Sequence, residues 1–175
     1  RPPNNYLPMG SPSPGEPRGG DYVEMVRDDG GLDEVKKKIR KPLEGRKVAA
    51  YYGCMLLRPS NGMQFDNPEN PSIMEKLIEA MGGTPVLFTK RIQCCGGYVT
   101  LGDKENAQAR TEAVLASAAK SGAELILTAC PLCLYNLTQN TTETTVPVKY
   151  FTEVLAEALG VPAEAEAGRA CACTH

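Results

Sequence analysis

Residues 124–133 read ELILTACPLC. The stretch 124–129 is a nearly continuous apolar run of strand length, the composition of a strand buried on both faces. Cys130 and Cys133 follow at once, bracketing Pro131 and Leu132. A proline here presets the first turn of a helix, so 131–139 reads as a short helix entered directly from the strand. A buried strand that hands over to a helix is half of a βαβ unit, the building block of parallel sheets.

The same alternation continues on both sides. Upstream, a helix is expected from Asp103 to Ser121, with Val114, Leu115, Ala118 and Ala119 inward and Gly122 as its stop. Before it lies the strand PVLF (85–88), and before that a helix with Ile73, Met74, Leu77, Ile78 and Met81 on one face. Asn70 and Pro71 would open that helix, and Gly82 and Gly83 would close it. The loop RPSNGMQFDNPENP (58–71) separates it from a strand KVAAYYG (47–53). Within 21–41, Leu32, Val35 and Ile39 mark an amphipathic helix stopped by Pro42. Its Lys36, Lys37, Lys38 and Arg40 form an ordinary solvated face, or else a docking surface for an acidic partner. Downstream, VPVKYF (146–151) is a fourth strand, and Thr152 would cap a last helix ending at Gly160. The expected class is α/β: a single domain, residues 21–161, with a parallel sheet flanked by helices.

The flanks differ in composition. Residues 1–20 hold six prolines and four glycines and read as a disordered arm or linker without the charged start and apolar middle of a signal peptide. The chain opens on Arg1, as a processed or excised chain would. Residues 162–175 read as a flexible tail.

With 175 residues, the chain is long enough for one well-buried core. No apolar run approaches the ~18 residues of a membrane span. A net charge of −2 argues against nucleic acid as the main partner. The single histidine, His175, is the last residue, which removes mechanisms that need an imidazole inside the fold. The seven cysteines are odd in number and unevenly spaced. That is a poor disulfide scaffold and fits a reduced, cytoplasmic chain that uses thiolates as metal ligands or redox groups.

Five cysteines fall in or beside the predicted fold: Cys54, Cys94, Cys95, Cys130 and Cys133. Cys54 directly follows the strand 47–53, Cys94 and Cys95 come shortly after 85–88, and Cys130 ends 124–129. In a parallel sheet the carboxyl ends of the strands share one edge, where ligands bind. Residues spread over 80 positions therefore converge. Helix amino termini favour thiolates, and Gly96 and Gly97 would let backbone amides approach a cluster closely. Thiolates without imidazole suit iron–sulfur or zinc. Each feature also has a plainer reading. Cys54 alone could be a small buried hydrophobe. Cys130 and Cys133 alone could be a redox pair. Five thiolates exceed the four that a tetrahedral zinc or a cubane takes, so one is spare or the cluster is unusual. Tyr51, Tyr52 and Tyr98 lie near enough to contact a substrate, with core packing as their other role. Arg58 and Lys90 could meet an anionic one, with exposed charge as the default.

KVAAYYGCMLLRPS, FDNPENPSIMEKLIEAMGG, CCGGYVTLG, GAELILTACPLCLYNL and VPVKYFTEVLAEALG together resemble the cysteine-rich CCG domain, most closely the C-terminal one in the B-type subunit of the heterodisulfide reductase family. The resemblance spans about residues 21–161. It implies a non-cubane 4Fe-4S cluster held by Cys54, Cys94, Cys95, Cys130 and Cys133, with Gly96, Gly97 and Pro131 shaping its surroundings; a zinc site is the alternative. It implies reduction of a small mixed disulfide, the coenzyme M–coenzyme B heterodisulfide or an analogue, in a cytoplasmic or membrane-associated complex. The family's subunit normally carries two CCG domains, whereas one is present here. The expected partners are therefore a chain bearing a second CCG domain and a ferredoxin-like iron–sulfur subunit. A CCG subunit of a succinate, lactate or glycerol-phosphate type oxidoreductase is the competing implication. Cys171 and Cys173 have no counterpart in the family pattern.

Overall fold

A computed structural model of the chain describes residues 23, 31–63, 65–142 and 146–161. The expected arm (1–20), the tail (162–175) and Cys171, Cys173 and His175 lie outside the described residues.

The described elements run α1 (Gly31–Lys38), β1 (Lys47–Tyr51), α2 (Ser60–Met63), α3 (Ile73–Ala80), β2 (Thr84–Val86), α4 (Lys104–Lys120), β3 (Leu125–Thr128), α5 (Pro131–Gln139), β4 (Val148–Tyr150) and α6 (Phe151–Leu159). The four strands form one sheet in the order β2-β1-β3-β4. Every neighbouring pair is parallel: β1 with β2, β1 with β3, and β3 with β4. The α/β class and the four expected strands are present, with each strand shorter than its apolar run.

Period-two alternation along β1 divides the interior in two. Val48, Ala50 and Tyr52 point to one face, where Met74, Leu77 and Ile78 of α3 and Phe151, Val154 and Ala158 of α6 cover them. Leu32, Val35 and Ile39 pack against that same layer, as the amphipathic pattern predicts. Ala49 and Tyr51 point to the other face, under Val114, Leu115 and Ala118 of α4 and Leu137 of α5. β3 alternates likewise, with Leu125 and Leu127 on the first face and Ile126 on the second. Both central strands are therefore buried on both faces, which explains why they read as continuous apolar runs.

The helix starts depart from expectation in three places. The loop 58–71 contains a single helical turn, α2. α3 begins at Ile73, and its amino terminus is satisfied from a distance: the Asp66 carboxylate accepts the N–H groups of Ser72 at 2.6 Å and Ile73 at 2.8 Å. Asn70 is thereby released to accept from Arg91 instead. α6 begins at Phe151 rather than after Thr152, because Glu153 in its first turn accepts the N–H of Tyr150 at 3.1 Å. The long helix α4 starts as expected, with the Asp103 side chain accepting from the Asn106 N–H at 3.0 Å.

Candidate metal centre

The strand order has a direct consequence for ligand binding. From β1 the chain steps to one side to form β2, then crosses back to the other side of β1 to form β3. The switch point therefore lies between β1 and β3, and the crevice outside their carboxyl ends is the natural ligand site of such a sheet. Cys54 follows β1 there and Cys130 follows β3.

Each cysteine is held by its own local device. Cys130 is the extended residue before α5, and its carbonyl accepts the Leu134 N–H at 3.0 Å. Pro131 takes the first helical position, and Cys133 sits in the first turn. The segment bearing Cys94 and Cys95 has no regular structure of its own, so it borrows order from β1. The Arg91 carbonyl accepts the N–H groups of Tyr52 at 2.9 Å and Gly53 at 3.3 Å, and the Tyr51 hydroxyl donates to the Gln93 carbonyl at 2.7 Å. Immediately beyond these bonds, one segment delivers Cys54 and the other delivers Cys94 to the same edge.

The five cysteines carry thiols rather than disulfides. Cys95 and Cys133 are buried, with their sulfurs 3.6 Å apart. Cys54, Cys94 and Cys130 are half-buried. The Gly96 N–H lies 3.4 Å from the Cys94 sulfur. Cys95 is drawn down to about 6, first by its hydrogen bond with Cys133, then by the Gly97 N–H and Asn136. Cys133 is pushed up as the proton-bearing partner of Cys130 and Cys95. Burial raises Cys54 to about 11, helped by Cys94 beside it. Burial, and then the nearby cysteines, push the Tyr51 hydroxyl up, so it remains a neutral donor.

Glycines make the close approach possible. Gly53 adopts φ +65°, and a Cβ there would stand 2.9 Å from the Cys133 sulfur. Gly96 has φ +84°, and its Cβ would meet the Arg110 stem at 3.0 Å and the Ala107 Cα at 3.1 Å. At Gly97 a Cβ would lie 2.9 Å from Leu132. Gly96 and Gly97 therefore let the cysteine loop pack against α4 and α5.

The aromatic and charged candidates separate. Tyr51 and Tyr52 are fully buried in the two core layers, whereas Tyr98 is exposed. Arg58 and Lys90 line a cleft of about 660 Å³ that reaches Cys54 and Cys94.

Two polar groups went unread in the sequence. Asn136 is 1% exposed; its amide donates to the Cys95 carbonyl at 2.6 Å and to the Thr111 hydroxyl at 3.2 Å, while its oxygen accepts from Thr100 at 3.1 Å and from Asn140. Its signal is its place one turn after Cys133, on the same face of α5. Arg91 pairs with the Glu75 carboxylate and donates to the Pro71 carbonyl at 2.9 Å, and Tyr52 donates to Glu75 as well.

The donor set is all sulfur, without imidazole. The 3.6 Å between Cys95 and Cys133 is close to the ~3.8 Å that two thiolates take on one tetrahedral metal with bonds of about 2.3 Å. Among the described residues no three cysteine, histidine or carboxylate side chains are arranged to hold a single ion. The fit is to an iron–sulfur or other metal cofactor that draws on several thiolates.

The family model of the cysteine-rich domain, CCG, matches residues 48–138. The chain belongs to the cysteine-rich CCG domain family. The CCG match begins in β1 and ends in α5, so it contains all five cysteines. The chain is 36% identical over 141 residues to the 8-methylmenaquinol:fumarate reductase membrane anchor subunit of Wolinella succinogenes, covering 76% of this chain and 50% of that protein. It is 30% identical over 148 residues to the B-type subunit of the ferredoxin:CoB-CoM heterodisulfide reductase of Methanosarcina mazei, covering 79% and 49% respectively. It is also 30% identical over 152 residues to a protein of Archaeoglobus profundus that is itself like the B-type subunit of heterodisulfide reductase, covering 80% and 51%. The chain thus spans about half the length of these relatives. No helix among the described residues is long and apolar enough to cross a membrane.

Proposed function

We propose that this CCG domain, residues 21–161, is the cluster-bearing unit of a disulfide-reducing oxidoreductase. Cys54, Cys94, Cys95, Cys130 and Cys133 would hold one non-cubane 4Fe-4S cluster, with Pro131 fixing the Cys130–Cys133 turn and Gly96 and Gly97 letting the loop close. The observation that supports the reading is that Cys54 and Cys130 follow β1 and β3 at the switch point of the sheet, while the Tyr51 hydroxyl and the Arg91 carbonyl tie the Cys94 loop to β1 beside them. Five thiol donors exceed the four that a single zinc ion takes, which favours a cluster over a mononuclear site.

Cleaving a disulfide consumes two electrons and two protons and yields two thiols, and an iron–sulfur cluster supplies electrons one at a time. The chain's own residues supply position: the Tyr51 hydroxyl and the Arg91 carbonyl hold the Cys94 loop against β1. The half-buried side of Cys54 and Cys94 opens to the cleft through which a small disulfide would approach. A second CCG domain on another chain and a ferredoxin-like subunit would complete the electron path.

The relative from Wolinella supports a second reading, a CCG module passing electrons between a quinol and another subunit. One experiment separates the two. The iron-loaded protein is reduced without oxygen and mixed with a small mixed disulfide or with a menaquinone analogue, and reoxidation is followed by visible absorbance. Reoxidation by the disulfide, with two thiols released per two electrons, is expected. Reoxidation by the quinone alone would replace the disulfide reading with the quinol one.

A further inference from the structure

Positive charge is concentrated at the amino end of the sheet, on the edge opposite the cysteines. Helix α1 leads into the start of β1 there, and α6 returns to that end from the close of β4. Seven of the chain's 19 lysines and arginines fall within residues 36–47, beside one carboxylate, Glu44. All seven are exposed. The field at a helix carboxyl end favours Lys36, Lys37 and Lys38 in the last turn of α1. It does not account for the four cations that follow once the helix has ended. Lys37 pairs with Glu34 at 3.0 Å, an exposed pair that solvent screens. Among the described residues, Lys38 and Arg40 have no carboxylate partner.

The backbone beneath these charges is fixed. The Ala158 carbonyl, near the end of α6, accepts the N–H groups of Arg40 and Lys41, both at 2.9 Å. The Arg40 stem lies across Gly160, where a Cβ would stand 3.3 Å from its Cβ and Cδ. Between the two helix ends is a notch of about 420 Å³, lined by Lys37, Lys38, Ile39, Arg40 and Leu159. Ile39 and Leu159 are half-buried and form its floor, while the exposed cations form its rim. An apolar floor inside a cationic rim matches an occupant that carries both characters. A bilayer matches poorly, because membrane-binding surfaces present apolar side chains outward for insertion, and these two are recessed. Nucleic acid would use the rim through its phosphates and leave the floor empty.

We propose that the notch between the ends of α1 and α6 docks an acidic segment of a partner protein. An apolar side chain of that segment seats on Ile39 and Leu159, and carboxylates on either side of it meet Lys37, Lys38 and Arg40. A partner held at this end of the sheet leaves the cysteine edge open. The proposal therefore stands or falls independently of the redox reading.

Fluorescence-anisotropy titration of the full chain tests it, with three labelled peptides as probes: EELEE, QQLQQ and EEGEE. EELEE should bind about tenfold tighter than the neutral QQLQQ at low salt, with the preference shrinking as salt rises. It should bind about fivefold tighter than EEGEE, because the leucine covers the apolar floor. The double variant Lys38→Met/Arg40→Met keeps both side-chain stems and should lose the preference for EELEE over QQLQQ, with iron content unchanged. Lys38→Arg should retain most of that preference. Equal affinity for EELEE and QQLQQ at low salt would overturn the proposal. Equal affinity for EELEE and EEGEE would overturn the apolar seat and leave a diffuse basic face. Complete displacement of EELEE by phosphatidylserine vesicles, at accessible lipid equal to the peptide concentration, would overturn the protein partner in favour of a bilayer.

Discussion

The two faces of the sheet bury polar groups of different kinds. On the face covered by α3 and α6, Tyr52, Glu75 and Arg91 form a charged, nearly dry network, with the side chains of Arg91 and Glu75 only 11% and 10% exposed. On the face covered by α4 and α5, Asn136, Thr111, Thr100 and Asn140 form a neutral one beneath Cys95. Both networks hold the same loop, the first through Arg91 and the second through the Cys95 carbonyl. The charged clamp stands on the face away from the buried thiols, and the neutral one touches their backbone.

This contrast predicts unequal responses to mutation. The largest loss of stability is expected for Arg91→Met, which strands the Glu75 carboxylate in the core. Denaturant unfolding should show a loss of about 3–5 kcal/mol, and Glu75→Leu in the same chain should restore much of it. A change within about 1 kcal/mol for the single variant would mean that the clamp is dispensable. Asn136→Ala comes next. It leaves the Cys95 carbonyl without its amide donor and should cost about 1–3 kcal/mol, with an accompanying loss of bound iron. Gly53→Ala should cost the least stability, about 1–2 kcal/mol for its left-handed backbone. Its added methyl meets the Cys133 sulfur, however, so iron content should fall more than stability does. If Arg91→Met and Gly53→Ala lost iron in proportion to stability alone, the distinction between the two faces would dissolve.

Much of this was legible in the sequence. The strands showed because β1 and β3 are buried on both sides and read as unbroken apolar runs. The placement of Cys54 after β1 and of Cys130 after β3, at one edge of a parallel sheet, was legible from the strand pattern. The helix starts were less legible. Asp66 satisfies the amino terminus of α3 across a loop, and local spacing alone pointed to Asn70. Arg91 and Glu75 carry charges that composition assigns to the surface, and only their partners 16 to 23 residues away make burial tolerable. The packing of Gly96 and Gly97 against α4 and α5 depends on contacts distant in sequence, which local spacing does not show. Gly53 shows in the sequence only as the end of the first strand, because the sulfur it makes room for belongs to Cys133, 80 residues on.

The central claim is that five cysteines from three strand ends jointly hold one iron–sulfur cluster. Iron, acid-labile sulfide and zinc measured per chain, on protein prepared without oxygen, test it most directly when repeated on each of the five single Cys→Ser variants. The account predicts a brown protein with about four irons per chain, and loss of iron on replacing any of the five, Cys94 and Cys95 included. A colourless protein holding one zinc per chain, indifferent to serine at one of the five positions, would contradict it.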